Sequence, residues 1–153
     1  MKLLLDTTYI LPAIGVSVKG VPEDSAVQLI EGGHSVSISG ITIFELSAVG
    51  AKQISLGNLT AERVSRGIRA IVYDGGIEMV PIHDTSVLLT AFKLRRTLSD
   101  FIDCLILSSA ISRADALVTE DRHIHDLRKD GEFQILLQTI NPTFRIWSVK
   151  DVP

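Results

Sequence analysis

Short apolar runs alternate along the chain with longer stretches of helical periodicity. Leu3-Leu4-Leu5 stops at Asp6, so residues 2–5 read as a strand buried on both faces. Residues 8–16 read as a helix with Pro12 in its early turns, and a loop with Gly20 and Pro22 follows. Residues 23–31 have the pattern of an amphipathic helix stopped by Gly32-Gly33. A second strand is expected over 35–39 and a helix over 41–53. Val64, Ile68 and Ile71 recur at helical spacing and predict a helix over 60–72. A third strand follows over 77–82, then helices over 85–97 and 101–113, the latter apolar enough to lie centrally. A fourth strand over 116–119, a short helix over 123–129 and a fifth strand over 144–149 complete the reading. Strands alternating with helices predict an α/β fold around a largely parallel sheet.

With 153 residues, 46% hydrophobic and only 5% aromatic, the chain fits one domain over 1–153 with an aliphatic core. The formal charge of -3 argues against a protein that coats nucleic acid through bulk positive charge. It leaves room for an enzyme whose metal ions supply that charge locally. One cysteine, Cys104, excludes an intrachain disulfide and a cysteine-based zinc cluster, so a reduced, cytoplasmic setting is expected. The opening Met-Lys-Leu-Leu-Leu-Asp reaches charge too early for a secretory signal, and no apolar run approaches the roughly 20 residues that cross a bilayer. A soluble protein away from membranes is expected.

The informative feature is the address of certain acids. Asp6 directly follows the first strand and Asp121 the fourth, while Glu45 and Asp103 fall in the first turns of the helices over 41–53 and 101–113. In a parallel sheet, strand C-termini and the N-termini of connecting helices share one edge, where ligands of open α/β folds bind. Four carboxylates there repel one another unless a cation balances them. Oxygen donors of this kind suit Mg²⁺ or Mn²⁺, and phosphodiester hydrolysis is typical work for such a site. Each acid also has a plainer reading. Thr42-Ile43-Phe44-Glu45 matches a capping box, which for Glu45 alone is the favoured reading. Asp100 and Asp121 fit helix caps, and Asp103 fits an acid favoured by the helix dipole.

Four segments resemble the motifs of PIN domains, in family order over nearly the whole chain. Leu5-Asp6-Thr7-Thr8-Tyr9-Ile10-Leu11 resembles the opening Asp-Thr-Ser motif, and Ile41-Thr42-Ile43-Phe44-Glu45-Leu46 the second motif. Asp103 through Ala110 resembles the Asp-Ala-Leu-Ile-Ala-Ala-Thr-Ala helix, and Leu117-Val118-Thr119-Glu120-Asp121 the closing Thr-x-Asp. The resemblance implies a three-layer α/β/α sandwich around a short parallel central sheet. It also implies a metal-dependent endoribonuclease with Mg²⁺ or Mn²⁺ on Asp6, Glu45, Asp103 and Asp121. Thr7 and Thr119 would hold those carboxylates by hydrogen bonds. The chain's length fits the toxins of VapBC-type toxin–antitoxin pairs, so an RNA substrate, a cognate antitoxin and a homodimer are expected. Three details depart from the family pattern or leave it open. Ser108-Ser109 stands where Ala or Thr is usual, Asp100 precedes Asp103 by three residues, and His123-Ile124-His125 follows Asp121. Asp100 is expected as a cap first and an accessory ligand second.

Other features rank lower. Arg63, Arg66 and Arg69 form a helical stripe that reads first as a solvated face, whereas Lys93, Arg95 and Arg96 are better placed to guide RNA. His123 and His125 are too close in sequence to share a helix face and read as surface or packing residues rather than a zinc site. Phe144 and Trp147 read as core-facing, and Cys104 as a packing residue. A haloacid-dehalogenase-type phosphatase needs a second Asp at position 8, where Thr8 stands. An RNA-processing nuclease without an antitoxin and a catalytically weak binding module remain the alternatives.

Overall fold

The computed structural model describes residues 1–74 and 76–153. Five short strands, β1 (Lys2–Leu5), β2 (Ser35–Ser39), β3 (Glu78–Val80), β4 (Ala116–Val118) and β5 (Arg145–Trp147), form one sheet in the order β3-β2-β1-β4-β5. Every pairing is parallel, with Leu4 opposite Ser37 on one side and Leu117 on the other. The chain winds outward from β1 through β2 to β3, then returns to lay β4 against the free side of β1. Strand order therefore reverses between β1 and β4, the place where a doubly wound sheet opens a crevice.

Side chains alternate across the sheet as the pleat requires. Leu3, Leu5, Val36, Ile38, Ala116 and Val118 enter one apolar cluster with Leu29, Leu46 and Val64. Those three belong to helices α1 (Ser25–Glu31), α2 (Ile41–Ser55) and α3 (Ala61–Arg69). Leu4 and Leu117 enter a second cluster with residues of α4 (Thr85–Leu94), α5 (Phe101–Arg113), α6 (Arg122–Asp126) and α7 (Gly131–Ile140). Helix, sheet, helix: the three-layer sandwich expected from the sequence is the observed architecture. The apolar α5 lies at its centre, with eight of its residues from Cys104 to Ile111 buried.

Several boundaries differ, each for a local reason. The helix expected over 8–16 is two 3₁₀ turns, Thr7–Tyr9 and Leu11–Ile14, closed by Gly15 at φ 92°. Pro12 has no N–H to continue an α-helical ladder, so the segment breaks at Ile10. α3 gives way at Ala70 to a wider π turn, and β3, α4 and β5 are shorter than expected. The expected helix over 123–129 is α6 and a 3₁₀ turn, Leu127–Lys129. α7 was not anticipated. Its signals are present in Asp130, whose carboxylate accepts from Phe133 N at 2.8 Å, and in buried Phe133 and Leu137 one turn apart.

Two glycines let α2 and α3 close on the strand-to-helix region after β1. A Cβ on Gly50 would stand 2.5 Å from Val64 Cγ1, whereas one on Gly67 would stand 2.2 Å from the backbone oxygen of Ala13. A side chain can rotate away and a backbone carbonyl cannot. Gly67→Ala is therefore expected to cost the upper part of the ~1–3 kcal/mol typical of overpacking. That corresponds to a fall of roughly 4–10 °C in Tm for a domain of this size. Gly50→Ala should cost less. Thermal denaturation of both variants checks the ranking, and an equal or reversed order contradicts it.

Candidate functional site

Asp6 leaves β1 with its backbone N–H donated to Val118 O of β4 at 3.0 Å, so it stands at the reversal point between the two strands. Both of its carboxylate oxygens are held. Oδ1 accepts from Thr7 N at 2.7 Å and Oδ2 from Thr119 Oγ1 at 2.6 Å. The Thr7 hydroxyl turns the other way and donates to Glu45 Oε2, with Thr42 Oγ1 3.4 Å from it. One buried threonine thus orients two acids, one through its backbone and one through its side chain. Thr7 and Thr119 have the supporting positions expected of them.

The capping-box reading of Glu45 does not survive. α2 begins at Ile41 after Gly40, which makes no side-chain cap, and Thr42 is fully buried inside the helix. Glu45 is therefore free of a capping duty and lies beside Asp6. Asp100 does cap α5, accepting from Ile102 N at 2.7 Å through Oδ1, as its first reading anticipated. Asp121 also caps its helix, with Oδ1 taking His123 N at 2.7 Å, while its own N–H donates to Thr119 Oγ1 at 3.1 Å. Asp103, half-buried in the first turn of α5, has no hydrogen-bond donor among the described residues. A cleft of ≈ 320 Å³ runs from Asp100 and Asp103 past His123 to Asp126 and Asp130.

These carboxylates share one electrostatic field. The Asp103 pKa is pushed up to about 6, first by burial and then by Asp100, Asp121, Asp6 and Glu45. Burial raises Asp6 against the lowering effect of its Thr119 and Thr7 hydrogen bonds, and Asp121 raises it further. Glu45 is raised by burial and by Asp6 and Asp100, with the Thr7 hydroxyl opposing. Among the described residues, no lysine or arginine is ion-paired with any of them. The ion pair found among the described residues, Arg113 with Asp84, joins the far end of α5 to the start of α4. Among the described residues no three His, Cys, Asp or Glu side chains stand close enough together to grip an ion as placed. Carboxylate oxygens without a paired lysine or arginine among the described residues are a donor set of the type that a hard divalent ion takes.

Other residues fall where expected or gain a clearer role. Phe144 is buried, Trp147 is half-buried against the first cluster, and Cys104 is buried with its thiol raised to about 11 by desolvation. Ser109 packs Oγ to Oγ with Ser39 of β2 at 2.9 Å, a close helix–sheet contact, whereas Ser108 donates to Leu105 O within α5 at 3.0 Å. Arg66 and Arg69 are exposed, but Arg63 is half-buried and donates to Ala13 O at 2.6 Å, an anchor rather than part of a solvated stripe. His125 Nε2 lies 2.8 Å from Thr119 O. Tyr9 and Glu120, which lie within the quoted motifs but are given no role by the sequence reading, are hydrogen-bonded beside the site at 2.5 Å. The signal for them was adjacency alone: Tyr9 is in the turn after Asp6, and Glu120 separates Thr119 from Asp121.

A carboxylate whose folded pKa is raised favours its protonated form. The stability of the folded state is then lost as pH rises from the unfolded value near 4 through about 6. Asp103→Asn should remove that loss. Its Tm advantage over wild type in metal-free buffer is expected to grow between about pH 4 and pH 6, and an advantage that shrinks contradicts the shared field.

The PIN domain family model matches residues 3–130. Among solved structures, VapBC2 from Rickettsia felis, bound to a DNA fragment from its promoter, matches at 20% identity with a TM-score of 0.55. That match covers 97% of this chain and 100% of the other. VapBC-5 from Mycobacterium tuberculosis, a member of the VapBC family of toxin–antitoxin systems, matches at 18% identity with a TM-score of 0.52, covering 96% and 98%. Both likenesses are likenesses of fold. No curated protein matches the chain. A family match over most of the chain, on this fold and with acids ringing its sheet edge, is decisive: the protein belongs to the PIN-domain family, a family of nucleases.

Proposed function

We propose that this protein is a Mg²⁺- or Mn²⁺-dependent endoribonuclease that acts as the toxin of a VapBC-type pair. The observation that carries the reading is the gathering of Asp6, Glu45, Asp103 and Asp121 around the sheet edge at the β1–β4 reversal, with Thr7 and Thr119 orienting two of them and no lysine or arginine ion-paired with any among the described residues. A divalent ion there supplies Lewis-acid stabilisation of the phosphate and a nucleophilic water at neutral pH. Asp103, free of hydrogen bonds, and Asp6, fixed by Thr7 and Thr119, are assigned as direct ligands. Glu45, held by Thr7, binds the ion or orients the attacking water, and Asp121 contributes the oxygen its cap leaves free. Asp100 remains a cap first and an accessory ligand second. Exposed Lys93, Arg95 and Arg96 at the end of α4, just before the Asp100 turn, are suited to hold the RNA backbone.

The partner assignments rest on likeness and on surface chemistry. Both structural neighbours are toxin–antitoxin proteins, which supports a cognate antitoxin and a cytoplasmic site of action. No helix among the described residues is long and apolar enough to cross a membrane. Leu89 and Phe92, one turn apart on α4, are each more than half exposed, and the rings of Phe92 and Phe101 lie parallel with centroids 6.0 Å apart. An apolar face of this kind is covered in a homodimer. Phe92→Glu is then expected to convert a dimer to a monomer in sedimentation, and a wild type that is already monomeric refutes the assignment. A binding module with weak catalysis gains support from one observation: among the described residues, no three His, Cys, Asp or Glu side chains are gathered on one point.

The deciding experiment is cleavage of labelled single-stranded RNA by wild type, Asp6→Asn and Asp103→Asn, with and without Mg²⁺ or Mn²⁺. Expected is metal-dependent cleavage lowered at least about 100-fold in both folded variants, the upper range for losing one well-placed metal-site group. Variants as active as wild type overturn the site. Wild type that neither cleaves nor binds metal favours the binding module.

A further inference from the structure

The segment Thr119-Glu120-Asp121 carries one acid of the site and the hydroxyl that holds another, yet it is a loop between β4 and α6. It is pinned at three successive residues. Thr119 is buried and ties the loop to Asp6. Asp121 ties it to the N-terminus of α6 through His123 N. Glu120, although exposed, sends Oε1 away from the other acids to accept the Tyr9 hydroxyl at 2.5 Å, and the Val149 N–H is shared between that oxygen at 3.3 Å and Tyr9 Oη at 3.2 Å. Tyr9 itself is 2% exposed, packed in the apolar cluster under β1, and its backbone N–H donates to Asp6 O at 3.1 Å. Its ring is therefore fixed relative to Asp6, and its hydroxyl is the one polar group it extends to the loop.

We propose that Tyr9 is a positioning residue that sets the Asp6–Asp121 separation by pinning Glu120, so that the site can close on a divalent ion without reordering the loop. This rests on the metal-site reading above. A site that must hold ligands to about 0.5 Å draws its precision from residues that themselves have no freedom. Two of the loop's attachments, the Thr119 hydroxyl on Asp6 and the Asp121 carboxylate on His123 N, use groups belonging to the site, while the Thr119 backbone is held by Trp147 O at 2.9 Å and by His125 Nε2 at 2.8 Å. At Glu120, between Thr119 and Asp121, the Tyr9 hydroxyl is the side-chain attachment, and it carries no ligand duty, so it can be rigid without constraining coordination. Val149 extends the pin to the turn after β5, which Ser148 and Asp151 close by reciprocal hydrogen bonds.

The test is Mn²⁺ affinity by calorimetry, with no RNA present, on wild type, Tyr9→Phe, Glu120→Ala, Glu120→Gln and the Tyr9→Phe/Glu120→Ala double variant. Hydrogen exchange of the Asp121 amide is measured alongside. Tyr9→Phe keeps the buried ring and removes only the hydroxyl. Expected is a loss of affinity of about tenfold, the low end for residues that orient metal ligands, in both Tyr9→Phe and Glu120→Ala. The double variant should be no worse than either, since both break one pin. Glu120→Gln, which keeps an oxygen acceptor, should stay within about twofold of wild type. The Asp121 amide should exchange faster in Tyr9→Phe even without metal. Unchanged affinity or exchange in Tyr9→Phe overturns the proposal. So does Glu120→Gln falling as far as Glu120→Ala, which would make the charge the active feature. Asp6→Asn separates the two levels: wild type and Asp6→Asn both failing to bind Mn²⁺ removes the metal site and the pin's purpose together. Wild type that binds beside a Tyr9→Phe that binds equally removes the pin alone.

Discussion

Partly buried like charges without a counterion are costly, and the sheet edge after β1 and β4 is organised around that cost. Burial alone pushes Asp6, Glu45 and Asp103 toward their protonated forms, and their mutual repulsion adds to it. Most of the remaining polar groups at this edge oppose the effect with donors. Thr7 gives its N–H to one acid and its hydroxyl to another, Thr119 gives its hydroxyl to Asp6, and the starts of α5 and α6 give backbone N–H groups to Asp100 and Asp121. Asp103, which has no donor among the described residues, is pushed up to about 6 by burial and by the surrounding carboxylates. That asymmetry is what a cation-binding edge needs: acids held in direction, with one whose charge remains uncompensated.

The same constraint explains the close packing beneath the edge. Asp103 reaches the sheet's C-terminal side because α5 lies close over β2, where Ser109 meets Ser39 Oγ to Oγ. The Ser109 hydroxyl also donates to Leu105 O within its own helix, so its polarity is consumed locally. A bulkier residue at either serine would lift α5 and move its first turn, with Asp103 and the Asp100 cap, away from Asp6. Gly67 does the equivalent work on the other layer, allowing α3 to rest against the backbone of the turn that follows Asp6.

Much of this was readable from the chain because the governing patterns are local. Three leucines ending in an acid define a buried strand and its mouth, and period-2 burial put Leu3 and Leu5 on one face and Leu4 on the other. Hence Asp6 stands directly after β1 as expected, whereas β4 ends at Val118 and Asp121 follows it only after Thr119 and Glu120. Glu45 was harder, since Thr42 and Glu45 have the spacing of a capping box. Only the observed helix start at Ile41 shows that Thr42 lies inside α2. The helix over 8–16 failed for want of weighing Pro12 against the hydrogen bonds it removes. α7 was passed over although Asp130, Phe133 and Leu137 carried its start and its buried face.

What no local pattern reveals is pairing across the fold. Tyr9 and Glu120 are 111 residues apart, and Val149 lies 140 residues from Tyr9. A tyrosine in an apolar turn reads as core, and an exposed glutamate beside an aspartate reads as surface. They meet only because β4 returns to β1 after the sheet has grown outward through β2 and β3. The reversal that creates the crevice for the acids also brings distant residues together around it. Long-range pairs at the switch point are therefore set by topology, and the residues that hold such a site in shape are the ones a reading along the chain misses first.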